Sequence, residues 1–382
     1  MNKRKILYVT GTRADYGLMR SVLENIKQHP LLELEIVATG MHLMKEFGYT
    51  IHEVESEGYK INRINVTYEK DDKESMAIFI GKFIQKFAEK IRDIKPDIIM
   101  VLGDRGEMLG TAIVGSYLSI PVAHIHGGEI TSTVDEFTRH AITKLSHIHF
   151  PATKKSAERI IKIGEDPNRI FIIGAPGLDS ILNHTFHSKE EICNLLDLDT
   201  KEPILIIVQH PVTIYAEVSN KQMRETLEAI KDLEKQTIVI YPNADAGGRK
   251  IIKVIQEYKK FPFIHIIKNL EHDNYLSLMK NADVLIGNSS SGIIEAPSFY
   301  LPVVNIGTRQ EGRERAENVI DVDHNKDEII KAIEKALYNE EFKDKVKKCK
   351  NPYGDGKAGE RIAKILSKIE INNKLLQKKL SY

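Results

Sequence analysis

Cysteine is scarce: the 382 residues contain only Cys193 and Cys349. Two thiols are too few for a disulfide framework or a cysteine zinc site, and neither has a base-like residue beside it in sequence. Long apolar runs are also missing. Stretches such as Ile204–Val208 fall far short of the roughly 20 residues a membrane helix needs. The chain passes from Met1-Asn-Lys-Arg-Lys straight into a strand-like Ile6–Val9, without a signal-peptide cleavage pattern, so a cytoplasmic protein is expected. Charge of one sign is lacking too. Lys and Arg number 55 against 54 Asp and Glu, a net charge of +1, so no overall field draws the chain to nucleic acid or to a membrane surface. Neither G-x-G-x-x-G nor G-x-x-x-x-G-K-[ST] occurs, which argues against dinucleotide and P-loop binding of the usual kinds.

What is present is an ordinary globular mixture, 42% hydrophobic and 29% charged, on a chain too long for one core. Short apolar runs alternate with amphipathic stretches. The strand candidates are Ile6–Val9, Leu34–Ala38, Ile98–Leu102, Val122–Ile125, Ile148–Pro151 and Ile170–Ile173, then Ile204–Val208, Thr237–Tyr241, Phe263–Ile267, Val284–Ile286 and Val303–Ile306. Most are continuous Ile, Val and Leu, as parallel strands covered on both faces should be. Helical patterns lie between them, for example Met19–Lys27, Ser75–Arg92, Glu107–Leu118 and Met223–Lys235. This alternation predicts an α/β fold of two Rossmann-like domains facing a central cleft. The Gly174-Ala-Pro-Gly-Leu-Asp string marks the boundary, giving domains 1–180 and 181–358. A C-terminal helix over 359–382 is expected either to stay solvated or to pack back on the first domain.

In open α/β sheets ligands bind beyond the carboxyl ends of the strands. Seven such ends here carry Arg, Asp, His or Ser, six of them with Gly. They are Gly11-Thr-Arg-Ala-Asp-Tyr-Gly, Gly103-Asp-Arg, His126-Gly-Gly-Glu, Gln209-His-Pro, Pro242-Asn-Ala-Asp-Ala-Gly-Gly, Asn288-Ser-Ser-Ser-Gly and Gly307-Thr-Arg. One Gly-rich end is as readily a tight turn as a site. Seven in the same topological place outline a ligand cleft.

Individual residues keep two readings each. Ser289 and Ser290 form a phosphate cradle at a helix start or a plain Ser N-cap. Arg13 and Arg309 clamp a diphosphate or make surface ion pairs. Asp104, His126, Glu129, Asp135 and His210 are the acid–base candidates. Asp135 and Arg139, four apart, share a helix face as part of a site or as a simple surface pair. A metal held by His124, His126 and Glu129 lacks a convincing third ligand.

Taken in order, these strings resemble the hydrolysing UDP-N-acetylglucosamine 2-epimerases of sialic-acid and legionaminic-acid biosynthesis. The most specific are Gly11–Gly17, Gly103-Asp-Arg, His124-Ile-His-Gly-Gly-Glu, the run Val134–His147, Gly287-Asn-Ser-Ser-Ser-Gly and Gly307-Thr-Arg-Gln-Glu-Gly-Arg-Glu. The resemblance implies two Rossmann-like domains in the GT-B arrangement, a UDP-sugar substrate, no metal or other cofactor, and an assembly of two or four copies. It also implies the reaction: UDP leaves by anti-elimination to a 2-acetamidoglucal, and water then adds to release UDP and N-acetylmannosamine.

By the same resemblance Arg13, Arg105, Asn243, Ser289, Ser290, Glu295 and Arg309 contact the nucleotide, Glu295 at the ribose. Asp104, Asp135 and His210 are catalytic, with Arg139 supporting Asp135. Leu18 stands where non-hydrolysing relatives carry Lys. His126 stands where many relatives carry a catalytic Glu, so the C2 base is either His126 or Glu129. That exchange also points to an alternative substrate, UDP-2,4-diacetamido-2,4,6-trideoxy-glucose. A GT-B glycosyltransferase and a non-catalytic sugar-nucleotide sensor follow, since neither needs Asp104, Asp135 and His210 together.

Overall fold

The computed structural model describes residues 3–45, 48–67, 73–130, 135–183, 185–242, 247–268 and 270–381. The chain divides into two compact units. Unit 1 holds 1–129, 134–180 and 353–382, and unit 2 holds 130–133 and 181–352. The chain therefore returns to unit 1 at Tyr353, before the helix that begins near Gly359.

Among the described residues each unit contains a six-stranded parallel sheet. Unit 1 is built from β1 (Arg4–Thr10), β2 (Leu32–Ala38), β3 (Lys60–Arg63), β4 (Ile98–Leu102), β5 (Val122–Ile125) and β6 (Ile148–Phe150). Unit 2 is built from β7 (Leu205–Val208), β8 (Thr237–Ile240), β9 (Ile264–Ile267), β10 (Val284–Gly287), β11 (Val303–Ile306) and β12 (Val319–Val322). The spatial orders are β3-β2-β1-β4-β5-β6 and β12-β11-β10-β7-β8-β9. Counted within each unit, both are the doubly wound order 3-2-1-4-5-6. The expected pair of Rossmann-like domains is what the chain forms.

Three of the strand expectations need correction. Ile170–Ile173 is not a strand; it contributes one bridge, Ile170 to His149, and Ile172 then turns to solvent. β3 and β12 were not expected. Both are sheet edges with half-exposed polar residues, so neither shows the continuous apolar run that marks the central strands.

The central strands are buried on both faces, and alternate residues enter opposite cores. In unit 1, Ile6 and Tyr8 join one core with Ile98 and Met100, while Leu7, Val9 and Ile99 join the other. Phe79, Phe83 and Phe87 come from one face of the helix Lys73–Ile94 and stack at 6.4 and 5.4 Å on that second side. Fully burying each such ring is worth about 1.5–3 kcal/mol. Unit 2 repeats the scheme, with Leu205 and Ile207 in one core and Ile204, Ile206 and Val208 in the other.

The returning helix, Ala358–Lys368, lays Ala358, Ile362, Ala363 and Leu366 into the same core as Met19, Val22 and Ile26 of the helix Arg13–Gln28. Gly359 permits the close approach. A Cβ there would lie 2.9 Å from Asn25 Nδ2 and 3.0 Å from the Ser21 carbonyl oxygen. Asp179 fixes the junction, for its buried carboxylate accepts from the backbone N–H of Ala358 (2.9 Å) and Gly359 (2.6 Å) and from Ser21 Oγ (2.9 Å). The first amides of a helix have no partner within it, so one carboxylate supplies both acceptors and the favourable charge. Removing it leaves buried donors, at about 1.5–3 kcal/mol for a charged hydrogen bond. Asp179→Ala is therefore expected to lower the first thermal unfolding midpoint by roughly 4–8 °C. A midpoint unchanged in scanning calorimetry would refute the role of Asp179.

Candidate active site

In unit 1 the chain order reverses between β1 and β4, and the residues that follow β1, β4 and β5 are neighbours at one sheet edge. After β1, Thr12 caps the helix Arg13–Gln28 in a capping box with Asp15. The Asp15 carboxylate also accepts from Gly11 N (3.1 Å) and Thr12 N (2.9 Å). Burial and then nearby Glu107 raise its pKa to about 6, against the opposing hydrogen bond from Thr10. At Gly11 a Cβ would meet the Glu107 carboxylate, so a side chain there would have to displace it. Glu107 in turn accepts from Arg105 Nε at 2.6 Å. Arg13 pairs with Glu53 at 3.1 Å, both partly exposed.

The second group is centred on Arg139, whose side chain is only 5% exposed. Its guanidinium pairs with Asp104, lies 3.8 Å from Glu129 and donates to the His126 carbonyl at 2.8 Å. Asp104, His126, Glu129 and Arg139 are thus one cluster. Arg139 is correspondingly a holder of the other three. His126 has φ +62°, a left-handed conformation uncommon outside glycine, and Glu129 binds its Nδ1. His124 does not join this pair. Its Nε2 meets the Gly103 carbonyl at 2.7 Å and its Nδ1 meets Thr143 Oγ1 at 3.1 Å.

In unit 2 the reversal lies between β7 and β10, and the ends of β7, β10 and β11 are neighbours. Asn288 joins them. Its side chain accepts from His210 N at 2.7 Å and donates to His210 O at 2.9 Å. Its carbonyl accepts from Arg309 (3.1 Å) and Gln310 (2.8 Å). Gly287, with φ +123°, passes so close to the Val208 carbonyl that a side chain would strike it. Ser289 and Ser290 precede a helix of a single turn, Ser291–Ile294, shorter than the sequence pattern suggests. Glu295 closes that turn and is buried. Desolvation, then the charge of Arg309, lowers the His210 pKa to about 3.

The structure therefore gathers Arg13, Asp104, Arg105, His126, Glu129 and Arg139 at one edge of unit 1. It gathers His210, Ser289, Ser290, Glu295 and Arg309 at the matching edge of unit 2. The Asp135 side chain and Asn243 lie outside the described residues. Sequence reasoning did not single out Glu107, Thr143, Asn288 or Gln310. Only Asn288 had a signal, its place at the head of a Ser-rich strand end.

Each doubly wound unit thus carries a cluster of charged and polar side chains at its strand ends, the place where open α/β sheets bind ligands. The family model for UDP-N-acetylglucosamine 2-epimerases matches residues 24–367. The chain belongs to that family. It is 44% identical to a UDP-N,N'-diacetylbacillosamine 2-epimerase (hydrolyzing) of Legionella pneumophila, over 99% of this chain and all of that protein. It is 37% identical to a UDP-N-acetylglucosamine 2-epimerase of Neisseria meningitidis, over 87% of each. Among solved structures, a UDP-GlcNAc 2-epimerase from N. meningitidis bound to UDP-GlcNAc shares the fold with a TM-score of 0.83 at 21% identity, covering 96% of this chain and 100% of that one.

Desolvation is the chief cause that lowers the pKa of four histidines, His124 and His210 to about 3 and His42 and His147 to about 4. The unfolded chain protonates them near pH 6.5 and the folded chain does not, so stability falls as pH drops below about 6.5. Each contributes up to about 1.4 kcal/mol per pH unit in that window. Asp15, raised rather than lowered, works the other way below about pH 6. The urea midpoint is expected to be lower at pH 5 than at pH 7, and equal midpoints would contradict the neutral form of these rings in the folded chain.

Proposed function

We propose that the chain is a hydrolysing 2-epimerase of UDP-2,4-diacetamido-2,4,6-trideoxy-glucose, releasing UDP and the corresponding 2,4-diacetamido mannose-type sugar. The observation that carries this choice is the 44% identity over the full chain to the Legionella diacetylbacillosamine enzyme. His126 in place of the usual Glu supports it. The order of substrates favoured by the sequence alone is thereby reversed. UDP-GlcNAc, yielding N-acetylmannosamine for sialic-acid-type sugars, becomes the second reading, favoured by the N. meningitidis relative at 37% identity. A cytoplasmic enzyme of two or four copies accords with either.

The residue types suit the chemistry. The C2 proton is weakly acidic, so C1–O cleavage runs ahead and leaves positive character at C1. Arg309, Ser289 and Ser290 suit the departing diphosphate and Glu295 the ribose, and Arg13, Arg105 and Asn243 are the further nucleotide contacts that the resemblance implies. Asp104 offsets charge developing on the sugar, with Asp135 its expected companion. The C2–H bond then breaks to give the C1=C2 glucal, water adds at C1, and a proton returns to C2 on the other face.

Glu129 and His126 work as a pair. Glu129 contacts Nδ1 of His126, which orients the ring with Nε2 as the nitrogen left to act as the base. His210, whose pKa desolvation lowers to about 3, is the further catalytic group that the resemblance implies.

Incubation with each UDP-sugar, followed by NMR, tests the reading. UDP release is expected to be faster from the 2,4-diacetamido substrate, and preference for UDP-GlcNAc would transfer the assignment to the second reading. In D₂O the product should carry deuterium at C2, and an unlabelled product would exclude elimination and rehydration. His126→Ala and Glu129→Ala should each lower kcat by about 10²–10⁴-fold, the usual range for acid–base groups. Arg309→Ala should weaken UDP binding by roughly ten- to a hundredfold, from about 1.5–3 kcal/mol per charged contact. Unchanged affinity by calorimetry in a folded Arg309→Ala protein would remove Arg309 from the nucleotide site.

A further inference from the structure

The helix Asp135–Leu145 carries Arg139, and its far end is closed by a residue remote in sequence. Lys378 donates from Nζ to the carbonyls of Lys144 (2.7 Å), Ser146 (2.7 Å) and Thr143 (3.4 Å). The same ammonium pairs with Glu165 at 2.6 Å. Glu165 is buried, and it also binds Lys144 at 2.6 Å and His149 at 2.9 Å. The segment bearing Lys378 is itself tied down. Arg169 donates to the carbonyls of Leu375 (2.8 Å), Lys374 (2.5 Å) and Gln377 (3.3 Å), and Ser381 N reaches Gly164 O at 3.0 Å.

The last carbonyls of a helix lack partners within it and carry the negative end of its dipole, so a fixed ammonium there satisfies both needs. Burial lowers the Lys378 pKa to about 8, with Glu165 opposing, so the side chain keeps its charge at neutral pH.

From that end the helix is linked inward by a buried polar chain. Thr143 Oγ1 donates to the Arg139 carbonyl at 3.0 Å and meets His124 Nδ1 at 3.1 Å. His124 Nε2 meets the carbonyl of Gly103, the residue before Asp104, at 2.7 Å. Gly127, the residue after His126, rests on the same pair, since a Cβ there would lie 3.0 Å from His124 Nδ1 and 3.1 Å from Thr143 Oγ1. Every part of the acid–base cluster therefore bears on the stretch of helix that Lys378 closes.

We propose that Lys378 is a positioning residue for the reaction: by closing the C-terminal end of the helix Asp135–Leu145 it fixes Arg139, and through Arg139 the placing of Asp104, His126 and Glu129. Its catalytic consequence rests on the function proposed above; its effect on the helix does not.

The test is Lys378→Met, which keeps the length of the side chain and removes the ammonium. Turnover is measured per UDP-binding site counted by calorimetry, so that misfolded protein is not scored. Displacements of an ångström at a catalytic group cost up to about a hundredfold, and a drop of about tenfold in kcat is expected, with UDP affinity changed less than about twofold. Amide exchange over residues 139–146 should accelerate by about tenfold or more as the helix end opens. Turnover per UDP site within about twofold of the parent, or unchanged exchange, would overturn the proposal. Should Lys378→Met fail to fold, Thr143→Val cuts the same chain at its middle. It should lower kcat in the same way, and unchanged turnover in that variant would equally overturn it. If the unmodified chain turns over neither UDP-sugar, the functional reading fails, and the exchange measurement still decides the role of Lys378.

Discussion

Parallel strands impose the constraint on which the candidate site residues of each unit depend. When every strand of a sheet runs the same way, every carboxyl end emerges at one edge, and whatever residues follow the strands are collected there. The doubly wound order adds a second effect. The chain leaves β1 and β4 toward opposite faces, and likewise β7 and β10, so a crevice opens at the reversal. Gly11, Gly103, Gly287 and Gly307 stand at or next to these ends, and three of them have left-handed φ. A chain covered on both faces by helices has few other places where polar backbone and charged side chains reach solvent together. Chemistry is thus confined to strand ends before any side chain is chosen.

Within unit 1 the balance of buried charge decides the finer geometry. Asp104, Glu129 and Arg139 cannot be taken from water singly without severe cost, and the guanidinium offers enough donors to serve more than one acceptor. Removing one partner of a buried pair typically costs about 3–5 kcal/mol, because the other charge is left uncompensated. The same donors hold the His126 carbonyl and so oppose the strain of its left-handed backbone. Rigidity here is a product of charge satisfaction more than of apolar packing. In unit 2 neutral groups do the corresponding work, the Asn288 amide and carbonyl serving His210, Arg309 and Gln310.

How much of this was legible in the sequence follows from the range of the interactions. The central strands announced themselves, because burial on both faces demands continuous Ile and Val. β3, with Lys60, Asn62 and Arg63, and β12, with Asp321, did not, since an edge strand is half solvated and carries no such run. Ile170–Ile173 misled for the converse reason: apolar residues there fill a core and touch the sheet at a single bridge. Site residues were legible as strand ends, one by one. Their pairings were not. Arg139 shows its spacing to Asp135, yet its partner Asp104 lies 35 residues away, and Asn288 is 78 residues from His210. Lys378 stood in a Lys-rich segment that reads as a solvated face, and nothing local tells it from Lys374 or Lys379. Only the tertiary fold shows that its Nζ donates to the carbonyl of Ser146, 232 residues earlier.

The His126 exchange can be weighed with these contacts in place. A carboxylate base needs only to be aimed, whereas an imidazole must also be held in one tautomer, or the wrong nitrogen carries the proton. Glu129 meets that need by occupying Nδ1, and Arg139 beside it keeps a carboxylate there compatible with burial. As a base His126 would thus depend on Glu129 for its orientation and on Arg139 for the setting of that carboxylate, demands that a lone carboxylate does not make.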